Sequence, residues 1–272
     1  MVRPARLAIA AVAFVLVSGL DAGSVLPAHA QESGLSRSEY LGAVGLLDAA
    51  TDIEMLLLNS LEAAAPDWPL EQRTQTSALF SYILTVNGLT ADVLVTLSEE
   101  GLDVLHAITS DSRPLVEQAL LTDLVIVGKV LREEEEEGDP PDGRATSTYV
   151  NVLRRLKGEL PSDTIVIRQQ HPVEARPRDI RPEKGRTYLL LLSNGIYRYG
   201  AARRAAEISE ARWTPSDAWR GLRHYSIYRI YPMDRDGRVD FAGYDLRQTE
   251  QSFQEIERLD RRLQELSGRG SD

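Results

Sequence analysis

The sequence predicts an α+β protein: an N-terminal helical bundle, then a small antiparallel β-barrel, then a C-terminal amphipathic helix. Apolar residues recur at steps of three and four in the first half of the chain, which is the period of a helix face. From Asp123 onward, short β-branched runs are separated by turn dipeptides such as Asn194-Gly195 and Asp236-Gly237, a pattern typical of antiparallel strands. The helical period returns after Asp245.

Residues 1–30 have the three parts of a secretory signal peptide. Arg3 and Arg6 precede an apolar run from Leu7 to Leu20, and Ala28-His29-Ala30 is an A-x-A cleavage site before Gln31. The apolar run is short for a membrane span, which needs about 20 residues. We therefore expect a periplasmic or secreted protein whose mature chain begins near Gln31 and keeps no stable membrane anchor.

Residues 34–120 are predicted to form the helical unit. Ser36 to Glu39 fit a capping box, and the helix that follows is predicted to end at Pro66. Asp67 is predicted to cap a second helix, which ends at Asn87-Gly88. The apolar face of the first helix consists of Leu46, Ala50, Ile53, Leu57 and Leu61.

The remainder of the helical unit is predicted to contain shorter helices. A third helical stretch runs from Thr90 to about Ile108, with Gly101 as a candidate break, and Pro114 opens a fourth helix. Because short connections favour antiparallel neighbours, these helices are expected to form a bundle and to dock on the second half of the chain.

Residues 121–244 are predicted to form the barrel. Closing the sheet would hide the edges of its strands from other chains. The predicted strands are Leu124–Leu131, Ser147–Leu156, Thr164–Gln169, Thr187–Ser193, Ile196–Tyr199, Tyr225–Tyr231 and a short strand around Val239.

An acidic run lies between the first two predicted strands. It consists of Glu133 to Glu137, followed by Asp139 and Asp142. Carboxylate oxygens are calcium ligands, but consecutive glutamates lack the spacing of a calcium loop. The sequence therefore predicts a solvated loop here rather than a metal site.

Residues 245–272 are predicted to form the C-terminal helix and tail. This helix is expected to pack across the barrel, and a coiled-coil seam is the alternative. Its apolar side consists of Leu246, Phe253, Ile256, Leu263 and Leu266.

The composition excludes several kinds of chemistry. The chain has no cysteine, so it has no disulfide, thiol nucleophile or thiolate metal site. His106, His171 and His224, the histidines after the signal segment, lie far apart along the chain. No spacing among them matches a metal-binding motif, and we expect neither a metal nor another cofactor.

The charge is divided unequally between the two halves. Residues 31–120 contain three arginines against fourteen acidic residues, a net charge of −11, whereas residues 121–272 are balanced. Such asymmetry indicates two units with different surfaces. An exported and acidic protein is a poor candidate for binding nucleic acid, so none is expected as a partner.

The strand half resembles a family of secreted bacterial proteins. The residues that carry the resemblance are Asp123–Val130, Val152–Gly158, Thr164–Ile167 and Gly185–Leu192. They are similar to netrin-like proteins with a barrel of the oligonucleotide/oligosaccharide-binding (OB) type, distant relatives of the inhibitory domain of tissue inhibitors of metalloproteinases. The resemblance implies a barrel fold and assigns no activity.

One departure from those inhibitors limits what the resemblance implies. Their mature amino terminus is a cysteine that coordinates the zinc of the target enzyme. Here the mature chain is expected to begin near Gln31, and a helical unit precedes the barrel. The resemblance therefore does not extend to inhibition of metalloproteinases.

The sequence carries no catalytic signature. It has no G-x-S-x-G elbow, no H-E-x-x-H helix and no phosphate-binding loop. His106 lies near Asp103 and Ser110, but helical neighbours of this kind are expected by chance. We therefore expect no enzyme, and no catalytic residue is assigned.

The candidate ligand-binding residues lie in the segment from Arg168 to Arg223, which has a net charge of +6 and several aromatic residues. Arginine forks and aromatic faces suit an anionic or sugar-like ligand. The alternative is that the aromatic residues belong to the core and that the arginines pair with the acidic helices. The candidates are Arg168, Arg176, Arg178, Arg181, Arg198, Tyr197, Tyr199 and Trp213.

These observations together predict a non-enzymatic binding or interaction protein of the cell envelope. Its partner is expected to be an envelope or extracellular protein, or an anionic or glycan ligand. The alternative function is a hydrolase of envelope polymers that uses carboxylates.

Overall fold

The computed structural model describes residues 39, 41–42, 45–110, 113–137, 144–160, 162–171, 182–193 and 224–268 of the 272-residue chain. These ranges mix helices and strands, which confirms the α+β class. The helices are α1 (Leu47–Ala64), α2 (Leu70–Val86), α3 (Ala91–Glu99), α4 (Val104–Thr109), α5 (Leu115–Leu120) and α6 (Leu246–Gly268). The strands are β1 (Leu124–Glu137), β2 (Arg144–Lys157), β3 (Thr164–His171), β4 (Thr187–Ser193) and β5 (His224–Pro232).

The helix ends follow local capping chemistry. The N–H of Val93 donates to the Thr90 side chain at the start of α3, and α3 and α4 are separated at Gly101, whose φ is +95°. The candidate break is therefore confirmed. The predicted Asp67 cap is wrong, because Pro69 occupies the N-cap position of α2 and offers no side-chain hydrogen bond. Ser36 lies outside the described residues.

The five strands pair in the order β1-β2-β3-β5-β4, and β4 also pairs with β1, so the hydrogen-bonded ladder closes on itself. All the pairings are antiparallel except that between β3 and β5. Around Val239 the predicted strand is reduced to a single bridge with Met233, across the tight turn that was predicted at Asp236-Gly237. The predicted strand Ile196–Tyr199 and the Asn194-Gly195 turn lie outside the described residues.

The acidic run differs from its prediction. Glu133 to Glu137 form the end of β1, where they pair with Thr148 to Arg144 of β2. The expectation of a loop is therefore wrong for these five glutamates. Cross-strand pairing with β2 outweighs the low intrinsic strand propensity of glutamate. Asp139 and Asp142 lie outside the described residues.

Two apolar cores lie on opposite faces of β4. Leu190 and Leu192 point into the barrel, whereas Leu189 and Leu191 belong to a second core that β4 shares with the helices. The barrel core consists of Leu124, Ile126, Val130, Val150, Ile165, Ile167, Tyr188, Leu190, Leu192 and Tyr225. The shared core runs without interruption from α1 through α5 to the outer side of β1 and β4 and to α6. The helices therefore cover one side of the barrel.

The C-terminal helix is held on β2 by an arginine. Arg154 donates two hydrogen bonds to Glu250, at 2.9 and 3.1 Å, and one to Glu257 at 3.0 Å. Its guanidinium also lies 5.4 Å from the ring centre of Phe253. The hydrogen bonds from Arg154 lower the pKa of Glu250 below its ordinary value. As expected from the sequence, α6 packs across the strands.

A buried polar junction joins the end of β2 to α5 and α6. Nζ of Lys157 donates to the backbone oxygen of Ala119 at 2.8 Å and to that of Thr122, where α5 ends. The next residue, Gly158, donates its N–H to the carboxylate of Asp260 on α6 at 2.9 Å. Lys157 therefore adds a buried cationic donor to the carbonyl groups at the C-terminal end of α5.

The burial of Lys157 makes the stability of the protein depend on pH. Burial lowers the pKa of Lys157 from 10.5 to about 8, and the charges of Asp123 and Asp260 only partly offset this. Between these two pH values the unfolded chain binds one proton more than the folded chain, so the free energy of unfolding rises with pH. We expect this contribution to grow by about 3 kcal/mol between pH 8 and pH 10.5.

Urea unfolding of the wild type and of Lys157→Met across this pH range measures the contribution of the lysine. The free energy of unfolding of the wild type, minus that of the variant, should rise with pH. A difference that stays constant from pH 8 to pH 10.5 would contradict a buried, titrating Lys157.

Candidate functional site

The outer side of β1, β2 and β3 carries two rows of side chains that the described helices leave uncovered. Lys129, Asn151 and Thr164 are paired across the three strands and form the first row. Arg132, Tyr149 and Val166 are paired in the same way and form the second row. We call these six residues the strand face. Lys129, Arg132 and Thr164 are exposed, and the other three are half-buried.

Register explains why these residues share one surface. On β1, Val127 faces the shared core, and Lys129, two residues later, has the same orientation but lies beyond the helices. Gly128, between them, faces the barrel interior, where an added Cβ would collide with Val150. Because side chains alternate along the strand, buried Val127 and exposed Lys129 lie on the same outer side of β1.

An arginine and a tyrosine form the centre of the strand face. The guanidinium of Arg132 lies 4.0 Å from the ring centre of Tyr149, within the range of a cation–π contact. The carboxylate of Glu134 holds the same guanidinium at 3.2 Å. More than half of the Arg132 side chain is nevertheless exposed. Arg132 is therefore oriented by two neighbours and still available to an anion in solution.

Two exposed leucines border the strand face at irregular points of the β1–β2 ladder. The register shifts between Val130 and Arg132 and again opposite Val127 and Gly128, which leaves Leu131 and Leu153 without cross-strand partners. Leu131 is 44% exposed and Leu153 is 54% exposed. These bulges add apolar surface to an otherwise polar region.

Most of the candidate residues chosen from the sequence lie outside the described residues. The exception is Arg168, whose backbone lies on β3 opposite Ser147. Arg176, Arg178 and Arg181 fall in residues 172–181, and Tyr197, Arg198, Tyr199 and Trp213 fall in residues 194–223. The first of these segments follows His171 at the end of β3. The second leads into His224, which pairs with Val166 of the strand face.

His106 has a structural partner rather than the neighbours considered from the sequence. The carboxylate of Asp103 accepts a hydrogen bond from the backbone N–H of His106 at 2.8 Å and caps α4. The His106 ring contacts Glu117 instead, with 2.5 Å between Nδ1 and Oε2. Within the described ranges, no three His, Asp or Glu side chains are grouped so that they could hold a metal ion.

A second polar network ties the helices to β5. Buried Arg113 donates to the hydroxyl oxygen of Tyr228 at 3.0 Å, and the hydroxyl of Tyr231 donates to Gln118 at 2.6 Å. Burial raises the pKa of Tyr231 above its ordinary value, and the hydrogen bond to Gln118 opposes that shift. This network is enclosed between α5 and β5, so we assign it to docking of the helices.

No family model, curated protein or solved structure matches this chain. No single described helix is long and apolar enough to cross a membrane; α2 and α3 meet that length and composition only together, and they are bent by 95°. The strand face therefore rests on geometry alone. Sequence reasoning missed Arg132 and Tyr149, because only the register of β1 and β2 brings them together.

Proposed function

We propose that this chain is an exported, non-enzymatic binding protein that holds an acidic glycan on the strand face. The observation that carries this proposal is the Arg132–Tyr149 pair, which is oriented, partly exposed and flanked by Lys129. A guanidinium offers several N–H donors to a carboxylate, and a tyrosine ring offers an apolar face to a sugar. Asn151 supplies amide groups that can bond to hydroxyls.

The strand order supports an OB-type barrel as the scaffold for this site. Closure through β4 and a parallel contact between β3 and β5 match that architecture, whose ligands lie across its second and third strands. We infer that α1 to α5 act as a bundle that covers the outer side of β4 and of the first part of β1, next to the strand face. Export rests on the signal-peptide pattern of residues 1–30.

The basic segment from Arg168 to Arg223 favours an anionic over a neutral ligand, against the five glutamates that directly follow Arg132. The segment from Arg168 to Arg223 has a net charge of +6, and its two parts without described structure begin or end beside β3. We propose that the candidate residues chosen from the sequence also bind this ligand: Arg168, Arg176, Arg178, Arg181, Arg198, Tyr197, Tyr199 and Trp213. Attraction between exposed charges is screened by salt, so binding should weaken as ionic strength rises.

Titration calorimetry with polygalacturonate, an acidic polysaccharide, tests this function at low ionic strength. Arg132→Gln should weaken binding about tenfold, which corresponds to the loss of one charge-assisted hydrogen bond. Tyr149→Ser should weaken binding as well, because it removes the ring from the strand face.

Arg258→Gln is the matched control, since Arg258 is an exposed arginine on α6 and is not one of the residues of the strand face. It should bind polygalacturonate like the wild type, and dextran, a neutral polysaccharide, should not bind. Equal binding by the wild type and Arg132→Gln, or binding of dextran as tight as that of polygalacturonate, would refute the proposal.

A further inference from the structure

The last part of β1 continues past the barrel as an edge strand. Up to Lys129, β1 pairs with both β2 and β4, and Val130 still exchanges hydrogen bonds with the backbone of Gly185 and Arg186. Leu131 is a bulge, and from Arg132 to Glu137 the described residues give β1 a partner on the β2 side alone. The other edge of these residues therefore faces no strand of the described part of the chain and presents a row of backbone groups to which another strand could pair.

The side chains of this edge are accessible from Leu131 to Glu135. Leu131 is 44% exposed, and 44% of the Glu134 side chain is exposed. Arg132, Glu133 and Glu135 are exposed as well. A second protein molecule could therefore approach this edge without displacing a packed helix.

The sequence around the edge favours strand pairing. Leu124–Leu131 and Ser147–Leu153, the neighbouring parts of the same hairpin, are rich in β-branched and aromatic residues. Segments of this composition readily join strands of other molecules when they are exposed. Glutamate, in contrast, is depleted in strands, so five consecutive glutamates at the exposed end are an unusual choice.

We propose that Glu133–Glu137 keep this edge closed to a second copy of the chain. When two copies of one edge meet antiparallel with Glu135 opposite Glu135, Glu133 faces Glu137 and Glu134 faces Glu136. Like charges directly opposite each other on paired strands are destabilising. A shifted overlap of five residues within 131–137 still sets at least one glutamate opposite another. Closure of the barrel pairs the strand edges within it. The glutamates protect residues 131–137 of β1, which extend past the closed part.

Sedimentation velocity on the full mature chain tests this proposal. The wild type should remain a monomer at every protein concentration measured. A variant in which all five glutamates of Glu133–Glu137 are changed to Gln keeps side-chain size and removes the charge, so it should associate with a dimer Kd at least tenfold lower. Hydrogen exchange should then show concentration-dependent protection of amides 131–137.

Two matched variants separate edge protection from a general effect of charge. The first neutralises five acidic residues exposed on or beside the helices and should stay monomeric: Asp52→Asn, Glu62→Gln, Asp67→Asn, Asp92→Asn and Glu99→Gln. The second changes Glu133–Glu137 to Lys and should also stay monomeric, because like charges of either sign repel across the edge.

Three outcomes would overturn the proposal. They are a five-Gln variant that sediments like the wild type, a helix-neutralised variant that dimerises equally well, and a dimer whose protected amides lie outside 131–137. If the five-Gln variant fails to fold, the double variant Glu133→Gln/Glu135→Gln replaces it. Its dimerisation is compared with that of the wild type in the same way.

Discussion

Gly158→Ala should lower the free energy of unfolding by about 2–5 kcal/mol, a large effect for one added carbon. Gly158 has a φ of +84°, in the left-handed region that L side chains disfavour. An added Cβ would overlap the carbonyl oxygen of Asp123 and lie 3.2 Å from the Cα of Leu124. Both atoms belong to the backbone where β1 begins, so neither can rotate away. Steric overlap therefore adds to backbone strain.

Gly185→Ala is the matched control for this change. Gly185 has a φ of +83°, but an added Cβ would meet nothing within 4 Å. Its alanine variant should therefore lose only the conformational part, about 1–2 kcal/mol. Urea unfolding of both variants measures the difference. Equal losses would show that the contact between Gly158 and Asp123 is looser than described.

Leu191→Ala should destabilise the helices and the barrel together, by about 2–5 kcal/mol. Leu191 is fully buried on the side of β4 that faces the helices, in the same core as Leu120 and Phe253. Truncating it leaves a cavity between the two units rather than within either one. Native-state hydrogen exchange should therefore report similar losses of protection in α2 and in β4.

Leu190→Ala, on the opposite face of the same strand, gives the comparison. Leu190 is also fully buried, but it lies in the barrel core. If the protein unfolds as one cooperative unit, both variants should lower protection in α2 and β4 alike. Loss of protection in α2 but not in β4 for Leu191→Ala would mean that the helices and the barrel are energetically separate.

Sequence patterns predicted the elements whose signals are local. The strand Thr187–Ser193 has the predicted bounds, because a continuous apolar run there lies between polar and turn residues. The end of the first helix also matches, since its apolar period ends before Pro66 and the helix ends at Ala64. Its start does not match, because α1 begins at Leu47, after Gly45 with a φ of +74°, and not directly after the capping box at Ser36 to Glu39. Such signals depend only on neighbouring residues, so they can be recognised without knowing the fold.

The features that depend on distant partners were not predicted. Strand status for Glu133–Glu137 comes from pairing with β2, and the isolated sequence favours a loop. The bulges at Leu131 and Leu153 are properties of two strands in register, so periodicity in one strand cannot reveal them. Arg132 and Tyr149 meet for the same reason. The sequence pointed to arginines in the segment where they are most frequent. It could not point to Arg132, whose place beside Tyr149 depends on the pairing of β1 with β2.

We propose that the strand face binds the acidic glycan, while the helices cover the neighbouring outer side of β1 and β4. Hydrogen exchange of the mature protein, measured with and without polygalacturonate at low ionic strength, tests it most directly. We expect added protection in residues 129–134, 147–151 and 164–168, with α1 to α4 unchanged. Protection confined to the helices at residues 47–109, or no protection at saturating polysaccharide, would contradict it.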